Sequence, residues 1–217
     1  MALRGEVEAK CPRGCGEMDA EVWSFVRGDK DLELKEALMA GELNLLICDE
    51  CGQPFYADVP VVYADPKSEL LVFSFPESFR KEEARWRRKM HEDYGEMRKL
   101  LSDDSSLAVE PELVFGIEPL RETLRADRDM EDEVLVAAHE SKRLGLHMVA
   151  VERAYSREHG LPWGLPYKGK AAKGKAPPRE AILKGLEALV DANDRLHGYA
   201  RWLKRLEDGK DLPPLRL

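Results

Sequence analysis

The sequence lacks the features of a membrane-spanning or exported protein. Its 217 residues contain no apolar run of about 18 residues or more, the minimum for a membrane-spanning helix. Residues 1–6 do not resemble a secretory signal peptide. Cysteine is scarce, with four in the whole chain, and nothing in the sequence favours export and disulfide formation. We therefore expect a cytoplasmic protein with no membrane partner.

Recognisable catalytic motifs are also absent. None of the five histidines belongs to an H-E-x-x-H motif or lies beside a cysteine pair, and no serine has a G-x-S-x-G setting. One alternative stays open, an enzyme whose cleft between a sheet and helices gathers His139, His147 and carboxylates. Because His139 falls on a predicted helix, a surface position is the more typical interpretation. We favour a non-enzymatic protein.

Basic residues are few in the first third of the chain. The net charge is −8, and residues 1–78 carry seven Lys or Arg against sixteen Asp or Glu, whereas the remainder carries 27 against 26. An acidic segment is repelled by phosphate, so this imbalance disfavours nucleic acid as the partner of the N-terminal part. The hydrophobic content of 43% and the mass of 24.6 kDa fit one large globular domain or two small ones.

The four cysteines form two tight pairs. Cys11 and Cys15 are spaced C-x3-C, Cys48 and Cys51 are spaced C-x2-C, and a glycine follows each pair. Glycine permits positive φ angles, so the backbone amides can turn toward the sulfurs. Four thiolates at this spacing are typical of a structural zinc site, which leaves no coordination position for a substrate water. A rubredoxin-like iron site is the nearest rival, and disulfides or a redox dithiol are the remaining alternatives.

The N-terminal segments alternate between apolar and polar residues, as strands of a half-buried sheet do. Strands are predicted at residues 3–10, 17–27 and 43–47, the last with a buried character and leading into the second cysteine pair. A short helix that begins near Asp29 or Asp31 should end at Gly41. Residues 55–63 and 69–75 predict a hairpin, with its turn at residues 64–68.

Several of these stretches together resemble the CpXC domain, a bacterial and archaeal family whose members carry two Cys-Pro-x-Cys motifs. They are Val22-Trp23-Ser24, residues 38–44 leading into Cys48-Asp49-Glu50-Cys51-Gly52, residues 59–65, residues 114–122 and residues 130–134. In this chain the first motif has an extra residue and the second has Asp49 in place of proline, but all four metal-type residues are kept. The family is functionally uncharacterised, so the resemblance implies a fold and offers no activity.

The sequence becomes mostly helical in character after residue 78. Helices are predicted at 79–101, 119–126, 130–159 with a break near Gly145, and 178–207; residues 102–106 predict a loop, 112–115 one strand, and 167–178 a Lys/Gly/Ala/Pro-rich loop. The last helix has a heptad pattern formed by Ile182, Leu186, Leu189, Asn193, Leu196, Ala200 and Leu203. This pattern predicts packing on the helix at 130–159, which we favour, or on a second copy of the chain, with Asn193 fixing the register.

The helix at residues 79–99 is rich in Lys and Arg, with Trp86 and Tyr94 among them. Together with the Lys-rich loop it supports an alternative function, a nucleic-acid-associated regulator. Acidic residues lie at spacings that favour intrahelical ion pairs, so a solvated helix face is the preferred interpretation.

These observations combine into one expected architecture. Residues 1–128 should form an α+β domain whose small antiparallel sheet carries a zinc-ribbon-like site of Cys11, Cys15, Cys48 and Cys51, and residues 129–217 should form a mostly helical region. We expect a non-enzymatic, zinc-stabilised interaction or scaffold protein with a protein partner or self-association. Iron is the less favoured metal, and nucleic acid the less favoured partner.

Overall fold

The computed structural model describes residues 2–100, 109–170 and 174–217. The chain divides into two compact units, Met1–Arg125 and Ala126–Leu217. Both contain helices and strands, so the predicted α+β class is confirmed. The predicted loop at residues 102–106 lies outside the described residues. Among the helices that the structure describes, not one combines the length and apolar character that a membrane crossing requires.

Unit 1 contains seven strands in its described residues. They are β1 (Leu3–Lys10), β2 (Glu17–Arg27), β3 (Leu45–Ile47), β4 (Pro54–Tyr56), β5 (Val61–Asp65), β6 (Leu70–Phe75) and β7 (Glu112–Phe115). The helices are α1 (Leu32–Ala40), α2 (Glu83–Leu100), which follows a 3₁₀ turn at Glu77–Glu82, and the first residues of α3 (Ile117–Arg143). As predicted, α1 ends at Gly41, which has a φ of 83° that L side chains rarely adopt.

Five of these strands form one sheet in the order β1-β2-β5-β6-β7, and β3 pairs with β4 alone. The pairs β1-β2 and β5-β6 are antiparallel, but β2-β5 and β6-β7 are parallel. The sheet is therefore mixed and not wholly antiparallel as expected. The reason is that α1 with the β3-β4 hairpin, and then α2, act as crossover connections, which bring the next strand in beside its neighbour in the same direction.

The two faces of this sheet are covered by different helices. On one face, Leu38 and Met39 of α1 and Leu120 and Leu124 of α3 pack with Tyr63 and other sheet residues. On the other face, Met90 of α2 packs with Phe73, Phe75 and Phe115. The interior strand β6 is buried along its whole length, as expected for a strand covered on both sides.

Unit 2 combines the remainder of α3 with three helices and three strands in its described residues. These are β8 (His147–Val151), α4 (Arg153–His159), β9 (Gly164–Tyr167), α5 (Arg179–Ala192), α6 (His197–Glu207) and β10 (Leu215–Arg216). The strands form an antiparallel sheet in the order β10-β8-β9. Its core gathers Leu165, Ile182, Leu186, Tyr199 and Trp202, all fully buried. The C-terminal part is thus mostly helical, as predicted, and it also contains a small sheet that was not predicted.

The predicted helix boundaries in unit 2 were wrong at two places. α3 continues without a break through the expected gap at residues 127–129, and buried Asp127 there pairs with Arg157 at 3.3 Å. It ends at Arg143, Gly145 follows with a φ of 68°, and residues 147–151 then form β8 and not more helix. The contact between Asp127 and Arg157, which are 30 residues apart in the chain, stabilises the helix at residues 127–129. The apolar stretch after Gly145 was too short for its periodicity to distinguish a strand from a helix.

The predicted helix at 178–207 is in fact two helices, α5 and α6. Asn193 is extended, with φ −152° and ψ 99°, and its side-chain oxygen accepts the backbone N–H of Arg195 at 3.1 Å. An asparagine that bonds its own backbone in this way competes with helix continuation. The heptad positions on both sides are buried in the same core, with Ile182, Leu189 and Leu196 each at most 3% exposed. Asn193 therefore separates two helices and does not fix the register of one long seam.

Two helical glycines give a matched test of packing. In α5, a Cβ on Gly185 would lie 2.5 Å from the carbonyl oxygen of Pro166, a backbone atom of β9, whereas a Cβ on Gly95 in α2 meets nothing within 4 Å. Gly95→Ala should raise the free energy of unfolding by about 0.5–1 kcal/mol, because alanine is the better helix former. Gly185→Ala should instead lower it by about 1–3 kcal/mol through overpacking.

Calorimetric unfolding of the two variants beside the parent chain measures both effects. A gain in stability from Gly185→Ala would contradict the close approach of α5 to β9.

Candidate metal centre

The first cysteine pair lies at the tip of a long two-stranded ribbon. β1 and β2 pair from Leu3↔Phe25 to Lys10↔Glu17, but only Phe25, Val26 and Arg27 of β2 pair with β5. Most of the ribbon therefore extends past the end of β5, and most of its residues are exposed or only partly buried. Cys11 and Cys15 occupy the turn at its far end, where the apolar core of the sheet does not reach.

The second cysteine pair lies at the turn of the β3-β4 hairpin. This two-stranded sheet has three residue pairs, Leu45↔Tyr56, Leu46↔Phe55 and Ile47↔Pro54, and Cys48 follows β3 directly. A hairpin of this size is marginal in water unless other contacts support it. Both cysteine pairs thus lie at the ends of two-stranded ribbons that need a further stabilising contact.

The two cysteine turns close in the same way despite their different spacing. The N–H of Cys11 donates to the carbonyl of Gly16 at 3.1 Å, and the N–H of Cys48 donates to the carbonyl of Gln53 at 3.0 Å. In both turns a glycine N–H donates back to the first cysteine's carbonyl, from Gly14 at 2.9 Å and from Gly52 at 2.8 Å. The extra residue of the first motif is absorbed inside a turn of the same span, so the sequence departure leaves the closure intact.

The four sulfurs are gathered at one point. All four Sγ atoms lie within 4.8 Å of one another, and the Cys11 and Cys51 sulfurs are 3.7 Å apart. Zinc–sulfur bonds of 2.3 Å in a tetrahedron would put sulfurs about 3.8 Å apart, so the observed spacing fits a shared ion. It does not fit a disulfide, whose sulfurs are about 2.05 Å apart, and all four cysteines are free. The chemistry of the donor set, four soft sulfurs, suits a thiolate-binding metal.

Burial and charge differ among the four thiols. Cys11 and Cys48 are buried, Cys15 is half-buried and Cys51 is exposed, so the cluster opens to solvent on one side. A cavity of about 120 Å³ beside the sulfurs is lined in addition by Gly16, Glu17, Met18, Asp49 and Glu50. The carboxylates around this cavity favour a cation inside it, and the cavity provides an entry path.

Hydrogen bonds shift the pKa values of the thiols in opposite directions. The backbone N–H of Arg13 is the main cause that lowers the pKa of Cys11 to about 7, because it stabilises the thiolate. Hydrogen bonds to Cys51 and then to Cys11 raise the pKa of Cys15 to about 12, because that thiol serves as the donor in the cluster. In the metal-free chain the sulfurs therefore form a hydrogen-bonded set that already holds part of the geometry of a metal site.

One residue that positions this site was not singled out from the sequence. The side chain of Asn44 accepts the N–H of Trp23 at 2.7 Å and donates to the carbonyl of Trp23 at 2.8 Å. It thereby ties the start of the second cysteine hairpin to β2 of the first. Asn44 has a φ of 57°, a conformation that asparagine tolerates better than most residues. The sequence signal for this positioning role was the place of Asn44, directly after an apolar residue and before a strand.

The remaining candidate residues do not gather into a second cluster. In the described ranges, the four cysteines form the one group of three or more His, Cys, Asp or Glu whose ligand atoms converge. His139 and His147, the basis of the enzyme alternative, are both exposed, and His147 lies against the ring of Tyr167. Neither of them lines the cavity beside the cysteines.

The basic helix α2 carries the ion pairs that its spacing predicts. Arg85 bonds Glu82 and Arg87 bonds Glu83, each at 2.7 Å, Lys99 bonds Glu96 at 2.8 Å, and Lys89 pairs with Asp93. Trp86 and Tyr94 belong to the apolar contacts of the sheet and do not stand free between the cations. Much of the positive charge of this face is therefore matched within the helix.

Comparison with known proteins gives one match. A family model described as "CpXC protein" matches residues 9–138, well over half of the chain and all four cysteines. No curated protein and no solved structure matches the chain.

The thiol acidities predict the behaviour of the metal-free chain on titration. As the pH rises, the Cys11 thiolate should form near pH 7 and the Cys15 thiolate near pH 12, on either side of the ordinary value of 9.0. Because the pKa of Cys11 is lowered on folding, its ionisation stabilises the fold above pH 9 and this contribution is lost as the pH falls through 7. Thiolate ultraviolet absorbance measures the titration, and Cys11→Ser should remove the first step. Four thiols that titrate together near pH 9 would contradict the cluster.

Proposed function

The chain belongs to the CpXC family, a family of unknown function, and we propose that it is a zinc-stabilised, non-enzymatic interaction or scaffold protein. The observation that carries this proposal is the convergence of Cys11, Cys15, Cys48 and Cys51 from two separate turns. The cytoplasm is the proposed compartment, because reducing conditions keep thiols available for a metal.

A structural role fits the chemistry of this site better than a catalytic one. If all four thiolates bind the ion, its tetrahedral coordination is filled and no position remains for a substrate or an activated water. Catalytic zinc sites keep three protein ligands and one open position, which is not what a four-cysteine set provides. The ion would stabilise two ribbons that the sheet core does not reach, and so would supply folding energy.

Zinc is preferred over iron on the same chemistry, with iron as the alternative outcome of the test. Both metals accept four thiolates, and zinc is the usual occupant of paired cysteine turns that carry no redox function. The role of the stabilised turns is then to present a surface to a partner. A protein partner is proposed, since the segment that carries the site is acidic and would be repelled by phosphate.

Elemental analysis of the purified full chain tests the metal. About one zinc atom per chain is expected, and Cys48→Ser should lose most of it because three thiolates bind far more weakly than four. Gln53→Ala is the matched control, since Gln53 closes the turn through its backbone carbonyl, which the substitution keeps, and its side chain donates to the carbonyl of Pro54. Neither zinc nor iron in the parent protein would refute the proposal.

Removal of the metal should destabilise the chain. A strong chelator should lower the unfolding temperature of the parent protein and of Gln53→Ala, and should have little effect on Cys48→Ser. Calorimetry with and without chelator measures the shift. Equal unfolding temperatures for the parent chain in both conditions would show that the ion contributes nothing to the fold.

Affinity capture of the tagged full chain from its native host tests the interaction role. We expect a protein that is retained by the parent chain and by Gln53→Ala but not by Cys48→Ser. Retention of nucleic acid alone, released by salt, would instead favour the regulator alternative.

A further inference from the structure

The β3-β4 hairpin has an unusual solvent face. Residues two apart in a strand share a face, and so do direct cross-strand partners, so Leu45, Ile47, Pro54 and Tyr56 all lie on one side of the hairpin. All four are exposed, Ile47 by 62% and Leu45 and Tyr56 by 40% each. The opposite face holds Leu46 and Phe55, which are half-buried. The sequence predicted a buried strand at residues 43–47, and the structure buries Leu43 but leaves Leu45 and Ile47 uncovered.

These four residues, which we call the hairpin face, form a contiguous apolar surface. An isolated exposed leucine needs no explanation, but adjacent apolar side chains on one face mark interaction sites. Aromatic Tyr56 is also a residue type that is enriched in such interfaces. The β3-β4 sheet contains no third strand in the described residues, so the hairpin is not covered by a neighbour in its own sheet.

The chain segment that carries the hairpin face is acidic. Arg121, whose guanidinium lies near Gly41 at the base of the hairpin, is paired with Glu118. From residue 36 to residue 66 the chain has no Lys, Arg or His, and it has six acidic residues: Glu36, Glu42, Asp49, Glu50, Asp58 and Asp65. Glu42 precedes β3, Asp49 and Glu50 lie in the turn, and Asp58 follows β4, and all four are exposed. A divalent ion held by four thiolates would add further negative charge at the turn. The apolar face is therefore bordered by acidic groups at both ends.

The hairpin is held rigid at both ends. At its turn the cysteine cluster fixes Cys48 and Cys51, and at its base the Tyr56 hydroxyl donates to the carbonyl of Gly41 at 2.8 Å. The N–H of Ala57 donates to the carbonyl of Asn44 at 3.2 Å, next to the clamp on Trp23. A preorganised surface loses little conformational entropy on binding.

A cavity of about 200 Å³ adjoins this surface. Tyr56 lines it together with Leu43, Phe75 and Ile117, and Asp58 and Glu77 contribute carboxylates. Small-molecule sites are usually 300–1,000 Å³ or so, which makes this cavity better matched to one side chain of a partner. Residues that dominate binding energy in protein interfaces are typically anchored in such pockets, with surrounding contacts that exclude water.

We propose that the hairpin face binds a protein segment in which apolar residues are flanked by Lys or Arg. The apolar residues would cover Leu45, Ile47 and Tyr56, and the flanking cations would face Glu42 and the turn carboxylates. This inference deepens the proposed function and rests on it, because the metal site holds one end of the hairpin.

Selection from a random displayed-peptide library on the immobilised full chain, as purified without added chelator, tests the proposal. Enriched peptides should contain an apolar core with basic flanks. Synthesised singly and titrated by fluorescence anisotropy, they should bind Ile47→Ser about tenfold or more weakly than the parent chain. Leu32→Ser is the matched control, since Leu32 is equally exposed at 63% but lies in α1, and it should bind like the parent.

A charge variant tests the electrostatic contribution to binding separately from the apolar contribution. Glu42→Lys should weaken binding and reduce its salt dependence, because one acidic group at the border is reversed. Unchanged binding by both Ile47→Ser and Glu42→Lys overturns the proposal, as do an empty selection and peptides with neutral or acidic flanks. Self-association of the chain that Ile47→Ser abolishes also overturns it, and assigns the face to a second copy.

Metal content measured on the same samples distinguishes this failure from that of the proposed function. An empty selection with one zinc per chain ends the docking inference and leaves the zinc-stabilised fold standing. Peptide binding with no metal in the protein refutes the zinc-stabilised function and supports the docking surface alone.

Discussion

The convergence of four cysteine sulfurs is the interaction on which the N-terminal unit depends. One pair lies at the tip of the β1-β2 ribbon and the other at the turn of the β3-β4 hairpin, and both turns lie outside the apolar core of the five-stranded sheet. In the absence of a metal, hydrogen bonds among the thiols are weak ties. A shared ion would replace them with four coordinate bonds, which would join two parts of the chain that are separated by the 32 residues between Cys15 and Cys48.

The rest of the unit is arranged to bring these turns together. The sheet is stabilised by helices on both faces, and β6 is buried throughout. Asn44 then fastens the base of the hairpin to β2 through two hydrogen bonds with Trp23. Apolar burial thus places the two ribbons, a polar clamp aligns them, and the cysteine cluster closes their ends. This division explains why the hairpin can leave Leu45 and Ile47 exposed, since its fold does not rely on burying them.

Local features of the structure were readable from the sequence, and long-range ones were not. The alternation of apolar and polar residues predicted β1 and β2, Gly41 predicted the end of α1, and the cysteine spacing predicted the cluster. Each of these features depends on residues that are close together in the sequence. The parallel pairing of β2 with β5 depends on which distant strands meet, and no local pattern records that choice. The residues of β8 were predicted as helix because a stretch of five residues carries too little periodicity to identify a strand. Asn193 was interpreted as a polar heptad residue, because its hydrogen bond to the backbone of Arg195 is a feature of the folded structure. The four cysteines that form the cluster could be predicted from the sequence. The hydrogen bonds between Asn44 and Trp23 could be recognised only from the folded structure.

The most direct measurement is X-ray absorption at the metal edge of the purified full chain. Four sulfur neighbours at about 2.3 Å, with no nitrogen or oxygen in the first shell, are expected for zinc held by Cys11, Cys15, Cys48 and Cys51. A first shell with fewer than four sulfurs, completed by oxygen or nitrogen, would contradict a closed four-cysteine site and the structural role assigned to it.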